Sequence, residues 1–169
     1  FGSCLMGAAA EGDVLEATEP KGRFVLDEAS ERPVILLAAG IGITPLMAMA
    51  QALAGTARPA TLIHACRDAA SRPFAAELDA LARRAANLRV AAIPTATEGR
   101  ITADILRRLL PIGDYEAYLC GPQGFMDAMT SLLVGLGVRP ERIASESFGG
   151  PRPAAAAAPS PAASAADEG

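Results

Sequence analysis

PVILLAAGIGITPLMAMAQAL, Pro33 to Leu53, is an apolar run broken once, by Gly40 and Gly42 and then by Thr44-Pro45. Its opening part, Pro33–Ala38, has the length and continuity of a strand buried on both faces, and the residues after Pro45 suit a buried helix. The glycines fall between them, where a missing Cβ lets backbone amides approach a ligand. Thr is a good N-cap and Pro suits the first helical turn, so the spacing predicts a helix that starts at Thr44-Pro45. Free N–H groups and the positive end of the helix dipole then make a seat for an anion such as a dinucleotide pyrophosphate. The pattern is Gly-Ile-Gly-Ile-Thr-Pro and not the G-x-G-x-x-G fingerprint, so a plain strand-turn-helix with small residues stays open beside that reading.

Outward from this junction, short apolar runs alternate with helical patterns. The strand candidates are Pro33–Ala38, Thr61–Cys66, Leu88–Ile93, Glu116–Cys120 and Arg142–Ser145. Phe74, Leu78, Leu81, Ala82 and Ala85 repeat at helical spacing, as do Ile105, Leu106 and Leu109, and then Phe125, Met126, Met129, Leu132, Leu133 and Leu136. Thr102 can cap one helix and Gly137 can end another. Such alternation predicts an α/β fold: a parallel five-stranded doubly wound sheet with right-handed crossovers and ligands at the carboxyl ends of the strands. The segment before it reads differently. Gly12-Asp13 and Pro20–Gly22 are turn signals around Val14–Ala17 and Phe24–Leu26, a hairpin-like unit. Two strands cannot stand alone in water, so they are expected to belong to a larger antiparallel barrel whose earlier strands are missing.

The expected organisation is therefore 1–32 as the end of a β-barrel, 33–150 as the α/β domain, and 151–169 as a tail or linker. PRPAAAAAPSPAASAADEG, the last of these, is nearly all Ala, Pro and Ser and has no large apolar side chain to offset the entropy of ordering; a tether between domains and a disordered end are both open. Of the 169 residues, 51% are hydrophobic and 20% charged, a globular composition. The longest apolar run is interrupted by Gly40, Gly42 and Pro45, so it does not read as a membrane span. A net charge of -4 with scattered Lys and Arg argues against nucleic-acid binding. Cys4, Cys66 and Cys120 lie far apart with only His64 for company, which excludes a disulfide framework and a zinc site and implies a reducing, cytoplasmic compartment. The first residue is Phe, and the start reads as cut.

Two further junctions carry chemistry. In YLCGPQGFM, Tyr118–Met126, a strand again runs into Gly-Pro and a helix; Cys120 could reach a reactive carbon of a bound ligand or be a small buried apolar residue. In SESFGG, Ser145–Gly150, the ring of Phe148 either covers a flat ligand or closes the edge of the core. His64 reads as a satisfied strand-end histidine, and with one histidine no Ser/His/Asp triad is credible.

Gly40-Ile-Gly-Ile-Thr-Pro, His64-Ala-Cys-Arg67, Glu98-Gly-Arg100, Cys120-Gly-Pro122 with Phe125-Met126, and Glu146-Ser-Phe148-Gly, in that order, resemble the pyridine-nucleotide domain of the ferredoxin-NADP reductase superfamily. The likeness spans nearly all of residues 1–150 and is greatest to the reductase modules of flavohaemoglobins and of oxygenase reductases of the phthalate dioxygenase reductase type. The resemblance implies an NAD(P)H-dependent flavin oxidoreductase: an FAD- or FMN-binding barrel, this α/β domain, hydride passing from NAD(P)H to the flavin, and electrons leaving singly to a 2Fe-2S ferredoxin-type or haem partner. On that likeness Gly40, Gly42, Thr44 and Pro45 would hold the pyrophosphate and nicotinamide end, and Cys120, Gly121 and Pro122 would frame the nicotinamide. Phe148 would lie against the isoalloxazine with Glu146 nearby as a polar or proton-handling group, and Gly2 and Ser3 would bind the flavin phosphate. Asp68 would favour a free 2′-hydroxyl and Arg67 with Arg72 a 2′-phosphate; Arg67 matches an arginine of NADH-using relatives, so NADH is expected over NADPH. The Arg-x-Tyr-Ser-type flavin motif is absent, which keeps open a nucleotide-binding or partner-docking module without redox activity.

Overall fold

The computed structural model describes residues 7, 10–14, 16, 18–19, 21–70, 72–111 and 113–148. Gly2, Ser3, Cys4 and the 151–169 segment lie outside them. The elements run β1 (Val34–Ala39), α1 (Ile43–Ala54), β2 (Ala60–Cys66), α2 (Ala75–Arg84), β3 (Leu88–Pro94), α3 (Thr95–Glu98), α4 (Ala103–Leu109), β4 (Glu116–Cys120), α5 (Gln123–Gly135) and β5 (Ile143–Glu146). All pairings are parallel, in the order β3-β2-β1-β4-β5. The chain thus starts in the middle of the sheet, winds outward through β2 and β3, then crosses back to lay down β4 and β5. That reversal makes a switch point between β1 and β4.

Burial follows from this wiring. Val34, Ile35, Leu36, Leu37 and Ala38 are all fully buried because helices cover both sides of the central strand. Alternate residues divide between two cores: Val34, Leu36 and Ala38 face α1 and α2, while Ile35 and Leu37 pack with Leu106, Met129 and Leu133 of α4 and α5. Each fully buried Leu or Ile contributes about 2 kcal/mol of transfer free energy. Helix ends carry the expected devices. Thr102 Oγ1 accepts from Ile105 N at 3.4 Å. After α5 the Val138 and Gly137 amides, at 3.0 Å each, close on Leu133 O and Val134 O, with Gly137 at φ +92°, the pattern of a Schellman ending.

The structure differs from two local readings of the sequence. No described residue before Val34 belongs to a strand, and Val14 and Val25 are exposed; the Val25 amide bonds to Arg23 O inside the same segment, so the hairpin is not seen among the described residues, while the likeness to two-domain flavin reductases agrees with a truncated barrel ahead of the sheet. Phe24–Leu26 leans on the sheet instead. Phe24 meets Tyr118 edge to face at 6.0 Å. The Asp27 amide donates to Tyr118 Oη at 2.8 Å, and Arg58 donates to Asp27 O at 2.7 Å and Arg32 O at 2.5 Å. Arg32 also reaches Asp114 and Glu116, and Arg142 pairs with Asp114, whose carboxyl these guanidinium groups hold below its ordinary value. The second correction concerns Thr44. The helix starts two residues earlier, at Ile43 with Gly42 as N-cap, and Thr44 Oγ1 donates back to Ile41 O at 3.1 Å. Pro45 does fall in the first turn.

Candidate active site

Ala39, Cys66, Pro94 and Cys120 end four adjacent parallel strands, so the turns after them emerge on one rim of the sheet. A cleft of about 630 Å³ opens there, bounded by Gly40 after β1, Cys66-Arg67 after β2, Thr95 and Arg100 beyond β3, and Pro122 with Phe125 at the start of α5. Its size is ordinary for a cofactor-binding pocket. Two helices of more than three turns, α1 and α5, begin beside it. In α5 the first intrahelical partner is Pro122 O, taken by Phe125 and Met126, so the amides of Gln123 and Gly124 precede the hydrogen-bonded ladder. Gly124 lines the cleft. Exposed Arg67 and Arg100 stand on its rim. Amide donors, the dipole of α5 and two guanidinium groups around a mostly apolar cavity suit an anion carrying flat rings.

The glycines divide the work. Gly40 has φ +53°, a left-handed conformation, and a Cβ there would meet nothing within 4 Å, so its freedom serves the turn and the open cleft. Gly42 is buried. A Cβ on it would lie 2.1 Å from Cys120 O and 2.8 Å from Gly121 N. Its bareness serves contact between the β1 and β4 turns, across the switch point. Gly121 answers from the other side: a Cβ on it would lie 2.9 Å from the Ala39 Cβ and 3.0 Å from the Phe125 ring.

The remaining expected residues fall into place around this contact. Thr44 and Pro45 are half-buried in the first turn of α1 and do not line the cleft. Cys120 is 0% exposed and shares a core with Tyr118, Ala38 and α1, on the side of the sheet away from Phe125. Burial pushes its thiol up to about 11, with the Glu146 carboxylate adding to the shift; the sulfur is a neutral thiol at physiological pH. Its reach to a ligand in the cleft is not what the structure shows. Glu146 is half-buried and stands opposite Cys120 in the β4–β5 register. Phe148, two residues on, is 56% exposed on the same rim beyond β4, so of the two open readings the ring does not close the core.

The adenosine-side arginines separate as well. Arg67 faces the cleft, whereas the Arg72 side chain is only 11% exposed and pairs with Asp79 at 3.1 Å. Arg100, the arginine of Glu98-Gly-Arg100, also faces the cleft, which sequence reasoning did not assign to it. Gly99 before it, at φ +75°, is the turn signal that places it. His64 is 0% exposed, and its Nε2 lies 2.9 Å from Gly40 O. Burial lowers its pKa, outweighing that backbone bond, and the Arg72 charge lowers it further. Among the described residues no three of His, Cys, Asp and Glu gather as metal ligands, and no helix is long and apolar enough to cross a membrane.

A doubly wound parallel sheet with a glycine turn and two helix N-termini at its switch point defines a dinucleotide-binding α/β domain. Residues 36–131 match the family described as oxidoreductase NAD-binding domain, and the chain belongs to that family, within the ferredoxin-NADP reductase superfamily. It is 39% identical to a flavohemoprotein of Deinococcus radiodurans, over 86% of this chain and 39% of that protein, and 35% identical to flavohemoprotein A of Dictyostelium discoideum, over 82% and 36%. Among solved structures it is similar to the FAD/NAD-binding domain of nitric oxide dioxygenase from Vibrio cholerae, with a TM-score of 0.68 and 35% identity over 78% of this chain and 56% of that one. A cytochrome P450 reductase from Amycolatopsis gives a TM-score of 0.71 and 30% identity, over 85% and 46%. The chain spans about two fifths of the length of the curated relatives it matches.

Proposed function

We propose that the chain is the nicotinamide-binding part of an NAD(P)H-dependent flavin reductase, with residues 1–32 as the end of the flavin barrel, 33–150 as the nucleotide domain and 151–169 as a tail or linker. The observation that carries this reading is the 630 Å³ cleft at the switch point, where Gly40, Arg67, Arg100 and the start of α5 meet. The nucleotide fits that donor set. Gly40, Gly124 and the dipole of α5 would hold the pyrophosphate, Arg67 and Arg100 would neutralise it, and Pro122 with Phe125 would flank the rings. NADH is favoured over NADPH, because Arg72 is committed to Asp79 and leaves Arg67 as the cleft-facing arginine of the pair.

A bound flavin, FAD or FMN, would accept hydride from the nicotinamide and release electrons one at a time. Gly2 and Ser3 are proposed to contact its phosphate, and exposed Phe148 to cover its ring system. Cys120 keeps its proton and shapes the wall between the two turns; Glu146 beside it is proposed as a polar or proton-handling group near the reacting rings. Flavohemoproteins and a P450 reductase among the similar proteins support a haem protein as the electron acceptor, with a 2Fe-2S ferredoxin-type acceptor as the other class.

The test supplies a complete barrel ahead of Phe1, adds NADH or NADPH anaerobically, and follows the flavin absorption band. Bleaching with NADH faster than with NADPH is expected. Persistence of the band with both nucleotides rejects the reading. Calorimetric titration of the chain with each nucleotide separates a binding module without redox activity from a reductase, since such a module binds and does not bleach.

A further inference from the structure

Arg67 and Arg100 line the same cleft from different connections, and no Asp or Glu lines it with them. Neither guanidinium group enters an ion pair among the described residues. The backbone beneath the two arginines is held in common. Cys66 and Pro94 form the last rung between β2 and β3. Beyond that rung two further bonds cross between the same connections: Thr95 Oγ1 donates to Cys66 O at 3.1 Å, and the Ala96 amide donates to Arg67 O at 2.9 Å. Both donors belong to α3, a single turn of four residues that is too short to be stable alone. From α3 the chain reaches Arg100 through Gly99, at φ +75°, and continues into buried Ile101 and the Thr102 cap of α4. Arg67 is thus bonded at its own carbonyl to the turn that leads to Arg100, and Arg100 is held between that turn and the core.

We propose that Thr95 is a positioning residue that fixes Arg67 and Arg100 relative to one another and so favours a diphosphate over a single phosphate. Thr95 lines the cleft, but its one hydroxyl proton is committed to Cys66 O, so it acts through the two arginines and not as a donor to a ligand. Two guanidinium groups whose backbones are tied to one turn are preorganised, and little freedom is lost when both close on adjacent phosphoryl groups. A single phosphoryl group satisfied by one arginine gains nothing from their spacing. The role rests on the nucleotide reading of the cleft and deepens it, since the part of the dinucleotide concerned is the pyrophosphate.

The probes are ADP and AMP, which differ by one phosphoryl group, titrated calorimetrically into the full 169-residue chain alongside NADH. The parent is expected to favour ADP over AMP about tenfold. Thr95→Val keeps the branched shape and removes the hydroxyl; it should lower ADP and NADH affinity about fivefold and leave AMP within about twofold of the parent. Thr95→Ser restores the hydroxyl and should recover the preference. Thr97→Val removes the other hydroxyl of α3, which bonds to Pro94 O at 3.2 Å within the same connection, and should leave the preference unchanged. An ADP-to-AMP ratio equal in Thr95→Val and the parent, or lowered as much by Thr97→Val, overturns the positioning role. A double-mutant cycle of Arg67→Gln and Arg100→Gln read on ADP does not depend on the folding of Thr95→Val: losses that are less than additive are expected, and strictly additive losses overturn the shared hold on one diphosphate. Failure of the parent to bind any of the three probes would reject the cleft assignment, and this role with it, whereas a parent that binds them and a Thr95→Val with the parent's ratio reject the role alone.

Discussion

The turn after β1 and the turn after β4 look alike in sequence, each a strand running into glycine and then, within a few residues, into proline and a helix. Their glycines serve different ends. Gly42 and Gly121 fasten the two turns together at the switch point, each bare because the opposite backbone or side chain occupies the place of its Cβ. Of the glycines in these two turns, Gly40 alone faces open space with a left-handed backbone. A pair of glycines two residues apart thus divides into one that assembles the rim and one that presents it.

The sharpest way to break this division is Gly42→Ala. A methyl group 2.1 Å from the Cys120 carbonyl must displace backbone on one strand or the other, and a loss of about 3 kcal/mol or more is expected in urea unfolding. Gly121→Ala meets the Ala39 Cβ at 2.9 Å, which must shift with its backbone, and the Phe125 ring at 3.0 Å, which can turn aside, so about 1–2 kcal/mol is expected by the same measurement. Gly40→Ala clashes with nothing and carries only the left-handed strain, about 1 kcal/mol. Its signature is instead in the nucleotide titration, where affinity should drop further than stability does. Were Gly40→Ala to unfold the chain as Gly42→Ala does, the division would be wrong.

The smallest expected effect tests the support beneath Gly40. Burial lowers the folded-state pKa of His64 below its ordinary 6.5. The unfolded chain therefore takes up a proton first as pH falls, so stability is full above about 6.5 and declines below it until the folded value is reached. Unfolding midpoints across that window should fall for the parent chain and be flatter for His64→Gln, with Asp114 titrating separately below its ordinary 3.8.

The central strands were legible because a sheet covered on both faces makes them nearly continuous apolar runs. Glu116–Cys120 matches to the residue, and Pro33–Ala38 is seen one residue later as Val34–Ala39. Thr102 and Gly137 were legible because caps are local. Gly42 was not, since the atom it avoids belongs to Cys120, far along the chain and adjacent only once β4 pairs with β1. Arg67 and Arg72 are equivalent in sequence, and which one turns inward depends on Asp79 in the following helix. Thr44 misled for a related reason: its hydroxyl bonds back to Ile41, inside a short 3-10 turn that begins the helix earlier than its best capping residue.

Composition changes at Pro33, but the fastening does not. Tyr118 and Arg58 grip the backbone of Asp27 and Arg32, and Phe24 rests on the Tyr118 ring. The last stretch of the preceding unit is thereby welded to the foot of the sheet. Phe24 to Arg32, which sequence alone assigns to the neighbouring unit, is thus held by the same bonds that hold the sheet.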